Sequence, residues 1–141
     1  MKCALVFLLI SMGGTLFFGS VYQSVKDKKV DIILEEVKTL PEVKEWLNMK
    51  LKDQKTALLL NEPNKSSPFY SVQVGLDGFG IFRTNYYLYV DPKTYQIYFQ
   101  DVMDVNSKNI TLEQWRYWRT KPGFKQMHHY DKKGQLIVDK N

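Results

Sequence analysis

The stretch FYSVQVGLDGFGIFRTNYYLYVDPKTYQIYFQDV, residues 69–102, decides the fold. From Phe69 to Leu76 the residues alternate. Tyr70, Val72, Val74 and Leu76 point one way and Ser71 and Gln73 the other, which is the period of a half-buried strand. Asp77-Gly78-Phe79-Gly80 is a hairpin turn signal, and Ile81 to Val90 forms a long second strand rich in tyrosine and β-branched residues. Asp91-Pro92-Lys93-Thr94 turns the chain again, and Tyr95 to Val102 returns. The segment predicts an antiparallel meander of three strands, or four with Thr56–Leu60 as a short strand before the polar loop 61–68.

Working outward, the period changes from two to 3.6. Val30, Ile33, Leu34 and Val37 follow the amphipathic helix template, with Lys28, Lys29, Asp31, Glu35, Glu36 and Lys38 on the other side. Thr39-Leu-Pro-Glu42 reads as a capping box with proline in the first turn of a second helix, whose face is Val43, Trp46, Leu47 and Leu51. The two are either separate helices or one helix kinked at Pro41. On the other side, 104–109 is a polar loop, and Thr111-Leu-Glu-Gln114 opens a short helix that Pro122-Gly123 stops. The tail 124–141 is read as a hairpin around Asp131–Gly134 or as partly disordered. The fold class is therefore α+β: a helix or kinked helix pair packed on one face of the meander, with a short C-terminal helix.

The first residues carry a different message. One lysine, Lys2, precedes an uncharged run from Cys3 to Phe18, and the next charge is Lys26. This is the plan of a signal peptide or N-terminal membrane anchor over residues 1–23, with one domain over 25–141. No Ala-x-Ala site follows, and the run approaches the about 20 residues that span a bilayer, so both readings stand. Either way the domain is expected outside the cytoplasm, periplasmic or extracellular.

Composition narrows the function. Hydrophobic residues make up 44% and aromatics 14%, which suits a packed domain. The net charge of +5 is mildly basic and far from a nucleic-acid signature. The single cysteine, Cys3, lies in the leader, so the domain has no disulfide, thiol nucleophile or cysteine ligand. The sequence has no His-Glu-x-x-His, Gly-x-Ser-x-Gly or Walker loop. The glycines of 75–80 lie between strands, where a phosphate cradle would need a helix start. His128 and His129, adjacent and on opposite faces of any strand, read as a solvated tail with no metal role. Asp101, Asp104 and Asn106 form an oxygen-rich stretch that fails the calcium-loop template. Asp91 and Asp101 are the carboxylates available to a small hydrolase. No cofactor or metal is expected.

The order of elements, with Val90-Asp91-Pro92-Lys93-Thr94-Tyr95-Gln96-Ile97, resembles PepSY-like domains of exported bacterial proteins. Val90, Asp91, Thr94 and Ile97 match the turn of those domains, and Tyr95 stands where they usually carry glycine. The cystatin-like plan of a helix wrapped by a sheet is equally compatible. The resemblance implies inhibition or regulation of peptidases, or envelope binding, and it supplies no catalytic residue.

Two surfaces are expected to bind. One is the open sheet face, with Arg83, Tyr87, Tyr89 and Tyr98 accompanied by Asn85 and Gln96. The other is the basic-aromatic helix and its exit, with Arg116, Tyr117, Arg119 and Lys121. The expected function is a non-catalytic exported binding module, an inhibitor or immunity factor, whose partner is another protein or an anionic envelope polymer and not nucleic acid. The alternatives are a small hydrolase using surface carboxylates and a membrane-tethered accessory subunit.

Overall fold

The period-two pattern of residues 69–102 becomes the centre of a five-stranded antiparallel sheet with strand order β1-β2-β3-β4-β5. The structure is a computed structural model that describes residues 16–139. The strands are β1 (Lys55–Asn61), β2 (Tyr70–Gly78), β3 (Ile81–Val90), β4 (Ile97–Gln100) and β5 (Asn109–Thr111). The helices are α1 (Leu16–Thr39), α2 (Pro41–Leu47) and α3 (Leu112–Trp118). A 3-10 turn (Pro122–Lys125) and a hairpin of β6 (His128–Tyr130) and β7 (Leu136–Val138) complete the chain. The fold is α+β, with the helix pair, the meander and the short C-terminal helix in the expected order. The sheet is wider than the sequence suggested, because β5 is too short to show a period, and the tail hairpin forms a separate two-stranded sheet.

Among the described residues, those from Ile33 onward form one compact unit and those of α1 before it belong to another. Most of the apolar leader, residues 1–15, lies outside the described residues. Helix α1 runs through positions 23–25 without a break. Among the described residues no helix is long and apolar enough to cross a membrane.

One row of the sheet shows how the core is built. Val72, Leu88, Phe99 and Ile110 sit side by side on four neighbouring strands, and all are buried. Val74, Val90 and Tyr70 lie on the same face by their period-two spacing. Ile33 and Val37 of α1 and Val43 of α2 are fully buried and supply the helical side of the core. Leu34, on the same stripe, is only half-buried, so the seam of α1 is narrower than the template suggested. The Trp46 indole donates to the Gly75 carbonyl at 3.1 Å, and the Thr56 hydroxyl donates to the Leu47 carbonyl at 3.1 Å. These bonds fix α2 against the first two strands.

The two capping boxes fare differently. At Thr111 it forms in full, with Gln114 and Thr111 each accepting from the other's backbone N–H. At Thr39 it does not. The Thr39 hydroxyl instead donates back to the Glu36 carbonyl in the last turn of α1, and Leu40 takes the N-cap position before Pro41. Glu42 is thereby free to reach another helix.

The β2–β3 hairpin closes through Phe79 and Gly80, both at positive φ of 56° and 74°, as a primed turn requires. Further along, the register shifts. Val74 faces Tyr86 but Gly75 faces Thr84, so Asn85 is an extra residue bulged out of β3. A single inserted residue moves every side chain beyond it to the other face. Arg83 therefore pairs with Leu76 on the helix-covered face, not with Tyr87 on the open one. This corrects the placement of Arg83, and of Asn85, expected from unbroken alternation. Gly75 permits the bulge, because a Cβ there would run into the Arg83 carbonyl oxygen and the Phe82 ring.

Two stability outcomes follow from this packing. Leu88→Ala should cost about 2–5 kcal/mol, since the site is fully enclosed. Gly75→Ala should cost about 1–3 kcal/mol although it adds a single methyl, because the obstacle is backbone. Denaturant midpoints measure both. An unmoved midpoint for Gly75→Ala would mean that β3 carries no bulge at Asn85.

Candidate functional site

The open face of the sheet gathers the tyrosines. Tyr89 lies opposite Tyr98, and Ser71 lies opposite Tyr89. Tyr87 lies opposite Gln73, which in turn faces Leu59. Phe69 completes the cluster, with its ring edge-on to Tyr89 at 6.4 Å and to Tyr98 at 5.9 Å. The Tyr89 hydroxyl reaches Gln100 at 3.5 Å, and Thr84 donates to Gln73 at 2.6 Å. Tyr87, Tyr89 and Tyr98 are half-buried and Leu59 is 43% exposed, so the face is a continuous amphipathic surface. Three of the four sheet residues expected here are present. Phe69 was not singled out, although the alternation from Phe69 to Leu76 puts it on the side of Ser71 and Gln73.

On the covered side, α3 is held by an aromatic stack. The Trp115 ring lies on Phe99 with centroids 4.3 Å apart and planes 8° from parallel. Tyr86 and Phe124 approach this pair at 5.4 and 6.1 Å. The stack carries the charged residues of α3 toward α2. Arg116 donates to both Glu42 oxygens, at 2.7 and 3.0 Å, and Arg119 stands 3.7 Å from Glu42 and over the Trp115 ring at 5.0 Å. Arg116 holds the Glu42 carboxyl below the usual carboxylate range, against a smaller opposing effect of burial. Lys121 lies over Tyr117 at 4.9 Å, and Tyr117 is edge-on to Trp118. The helix patch is thus real, but its two arginines share one carboxylate.

Between α2, β3, β4, α3 and the 3-10 turn lies a half-open cleft of about 710 Å³, a volume ordinary for small-ligand sites. Its walls are Trp46, Met49, Phe99, Met103, Trp115 and Phe124, and Glu42, Glu45, Asn85, Tyr86, Arg119 and Lys125 supply its polar atoms. The Tyr86 hydroxyl is enclosed and has no hydrogen-bond partner among the described residues. Nothing in the sequence signalled this cleft, because its walls come from several separate elements spread between Glu42 and Lys125.

The third feature overturns an expectation. His128 is not in a solvated tail; it is fully buried. The tail forms a hairpin, and His128 anchors it. Its Nδ1 faces the Gln126 carbonyl at 2.7 Å and must carry a hydrogen, since a carbonyl only accepts. Its Nε2 lies 2.8 Å from Asp101 Oδ2, so one further proton sits between ring and carboxylate. The same oxygen accepts from the Tyr130 hydroxyl at 2.5 Å, and Oδ1 accepts from the Met103 and Asp104 amides. Burial, then the bond to Asp101, push the Tyr130 hydroxyl upward, so it stays a donor. Asp101 is therefore committed to the fold. Asp91 is likewise bound by the Lys93 and Thr94 amides of its turn, which hold its carboxyl below the usual range. His129 points the other way, to Asp139 at 2.7 Å, as adjacent strand residues must. Among the described residues no group of three His, Cys, Asp or Glu can hold a metal.

Compared with family models, curated proteins and solved structures, the chain matches none. Nothing in these comparisons identifies the PepSY-like domain that the run Val90–Ile97 resembles. Within that run, Tyr95 adopts a φ of 58°, a left-handed conformation that costs a side chain about 1–2 kcal/mol and glycine nothing.

Two measurements check the interactions that hold α3 and the hairpin. A carboxyl held below its ordinary range in the fold stabilises the fold above that range and ceases to do so as the pH falls through its lowered value. Arg116→Ala should therefore lower the unfolding midpoint at neutral pH, and the difference from the parent should vanish on acidification below the usual carboxylate range. His128→Ala should cost about 3–5 kcal/mol by leaving Asp101 buried without its partner, and Tyr130→Phe about 1–3 kcal/mol. A surface-like loss below about 0.5 kcal/mol at His128 would contradict its burial.

Proposed function

We propose that the chain is a non-catalytic exported module that binds another protein through the open aromatic face of its sheet. The observation that supports this is the cluster of Phe69, Tyr87, Tyr89 and Tyr98, joined across strands β3 and β4. Each ring presents apolar area and each tyrosine also a hydroxyl, at the entropy cost of only two side-chain torsions. Phe69 braces Tyr89 and Tyr98 edge-on, so little further ordering of these rings is needed on binding. Gln73, Gln100 and Thr84 supply hydrogen-bonding groups at the margin, as the polar rim of a protein interface does. The helix surface is the weaker claimant. Arg116 and Arg119 already face Glu42, so an anionic partner would have to displace or share that carboxylate. Export rests on the uncharged run Cys3–Phe18 and its lone preceding lysine.

The test is capture with the immobilised full-length chain from a bacterial envelope extract, followed by affinity measurement on the partner found. One stoichiometric partner is expected. Tyr87→Ala with Tyr89→Ala should weaken it by at least about 1–2 kcal/mol without unfolding the domain. Arg116→Ala with Arg119→Ala should matter less at physiological salt. A neutral tyrosine pair beside an arginine pair that abolishes binding would move the site to α3. No partner, together with turnover of a glycan or peptide substrate, would favour the hydrolase.

A further inference from the structure

The β2–β3 hairpin ends in an aromatic residue where asparagine or glycine would cost the fold less. Phe79 takes a φ of 56° in the turn, a left-handed conformation that asparagine and glycine enter more readily. Packing does not offset this, since the Phe79 side chain is 76% exposed. Ile81, on the other side of Gly80, is 59% exposed, and a Cβ on Gly80 itself would meet nothing within 4 Å. The turn therefore protrudes into solvent with two large apolar side chains on it. We propose that this tip docks on an anionic lipid bilayer, with Phe79 and Ile81 entering the headgroup region and the cations around them meeting lipid phosphates.

The segment before β1 widens the tip. It lies against the hairpin, because a Cβ on Gly78 would come within 3.0 Å of the Gln54 Cγ and 3.4 Å of the Asp53 carbonyl oxygen. Leu51 opens onto the same shallow hollow as Phe79 and is 42% exposed. Exposed cations flank these apolar residues along the chain: Lys50, Lys52 and Lys55 on the segment, and Arg83 two positions beyond Ile81. Asp53 and Asp77 are the acids of the same stretches, so four positive charges stand against two negative. None of the four cations is ion-paired among the described residues.

This chemistry fits a lipid surface better than a protein partner. A protein hot spot fills a shaped pocket and is ringed by groups with fixed partners. The tip is instead convex, and its lysines are compact charges on long flexible stems, with no fixed geometry to satisfy. Mobile phosphate headgroups accept such charges wherever they fall, while the lysine stems and the Phe79 ring stay at the apolar boundary. The excess of positive charge selects anionic over zwitterionic lipid. Ile81 begins β3 and Tyr89 lies near its end, so this surface is distinct from the tyrosine face.

The probe is a vesicle of phosphatidylcholine, alone or mixed with an equal part of phosphatidylglycerol, added to the full-length chain. Phe79→Trp keeps a large ring at the tip and adds a reporter, read as the emission in excess of the parent's. On mixed vesicles that excess should shift to the blue and be quenched by lipids brominated in their acyl chains. On phosphatidylcholine alone, or in high salt, it should stay water-like. The readout is local to the tip, so it is the same whether residues 1–23 are retained or removed. Adding Lys52→Glu and Lys55→Glu should abolish most of the quenching. In the unsubstituted chain the amides of 77–83 should gain protection from hydrogen exchange on mixed vesicles, which keeps the test open if Phe79→Trp fails to fold. Phe79→Asn should raise the denaturation midpoint by relieving the turn, and should remove that protection. An indole that stays in water on mixed vesicles would overturn the proposal, as would equal quenching on both compositions, quenching untouched by the lysine substitutions, or no gain in protection. A protein partner whose binding Phe79→Asn abolishes, with the indole in water on both vesicles, would assign the tip to a protein instead. Tyr87→Ala with Tyr89→Ala should leave the quenching unchanged, so this site and the sheet face succeed or fail separately.

Discussion

Phe99 lying flat under Trp115 is the contact from which the arrangement of the domain's second half follows. Phe99 belongs to the shortest strand of the meander, β4, and to the buried row that crosses the sheet. Trp115 is the one fully committed residue of a helix of seven. A helix of two turns has no independent stability in water, so its position depends on such a contact. Once the stack is made, Arg116 and Arg119 come within reach of Glu42, and α2 and α3 are bridged. The same stack forms one wall of the cleft. Capping at Thr111 supports this by satisfying the first amides of α3 without tertiary help.

The buried network at Asp101 does equivalent work for the last segment. A hairpin of two three-residue strands cannot hold itself together in isolation. It is tied to the loop after β4 through His128 and Tyr130, and the His128 backbone bonds to Met103 and Val105. The charge-assisted bonds compensate for enclosing a carboxylate and an imidazole together, where either alone would be expensive. A polar cluster in this place also fixes one docking geometry, because each donor has a single acceptor positioned for it.

The two faces of the sheet thus carry different chemistry. One is covered by helices and holds the core and the cleft; the other presents half-buried tyrosines. The bulge at Asn85 contributes to that division. It rotates Arg83 off the open face, leaving the tyrosine surface uncharged at its centre, and it brings Asn85 to the cleft. The open face is then apolar and hydroxylic around the tyrosines, with the Lys55–Asp77 pair at its far end.

The sequence by itself determined the elements whose signal is local. Alternation from Tyr70 to Leu76 sets the buried side of β2, Gly78-Phe79-Gly80 closes its hairpin, and Thr111 with Gln114 starts α3. It also determined that Tyr87, Tyr89 and Tyr98 share a face, because period two holds where the ladder is regular. What tertiary structure decided depends on distances between remote segments. Alternation gave the wrong side for Arg83 because a bulge is invisible to periodicity and is made by the register with Gly75. His128 looked solvated because nothing near it in the chain shows that Asp101, 27 positions away, waits as its partner. The Thr39 capping box looked complete, yet Glu42 found a better donor in Arg116, 74 positions on. The cleft arises only where α2, β3, β4 and α3 meet. Local propensity fixes what each segment becomes, and which polar groups find one another is settled by packing, since a buried charge or donor takes whatever partner the fold brings within hydrogen-bonding distance.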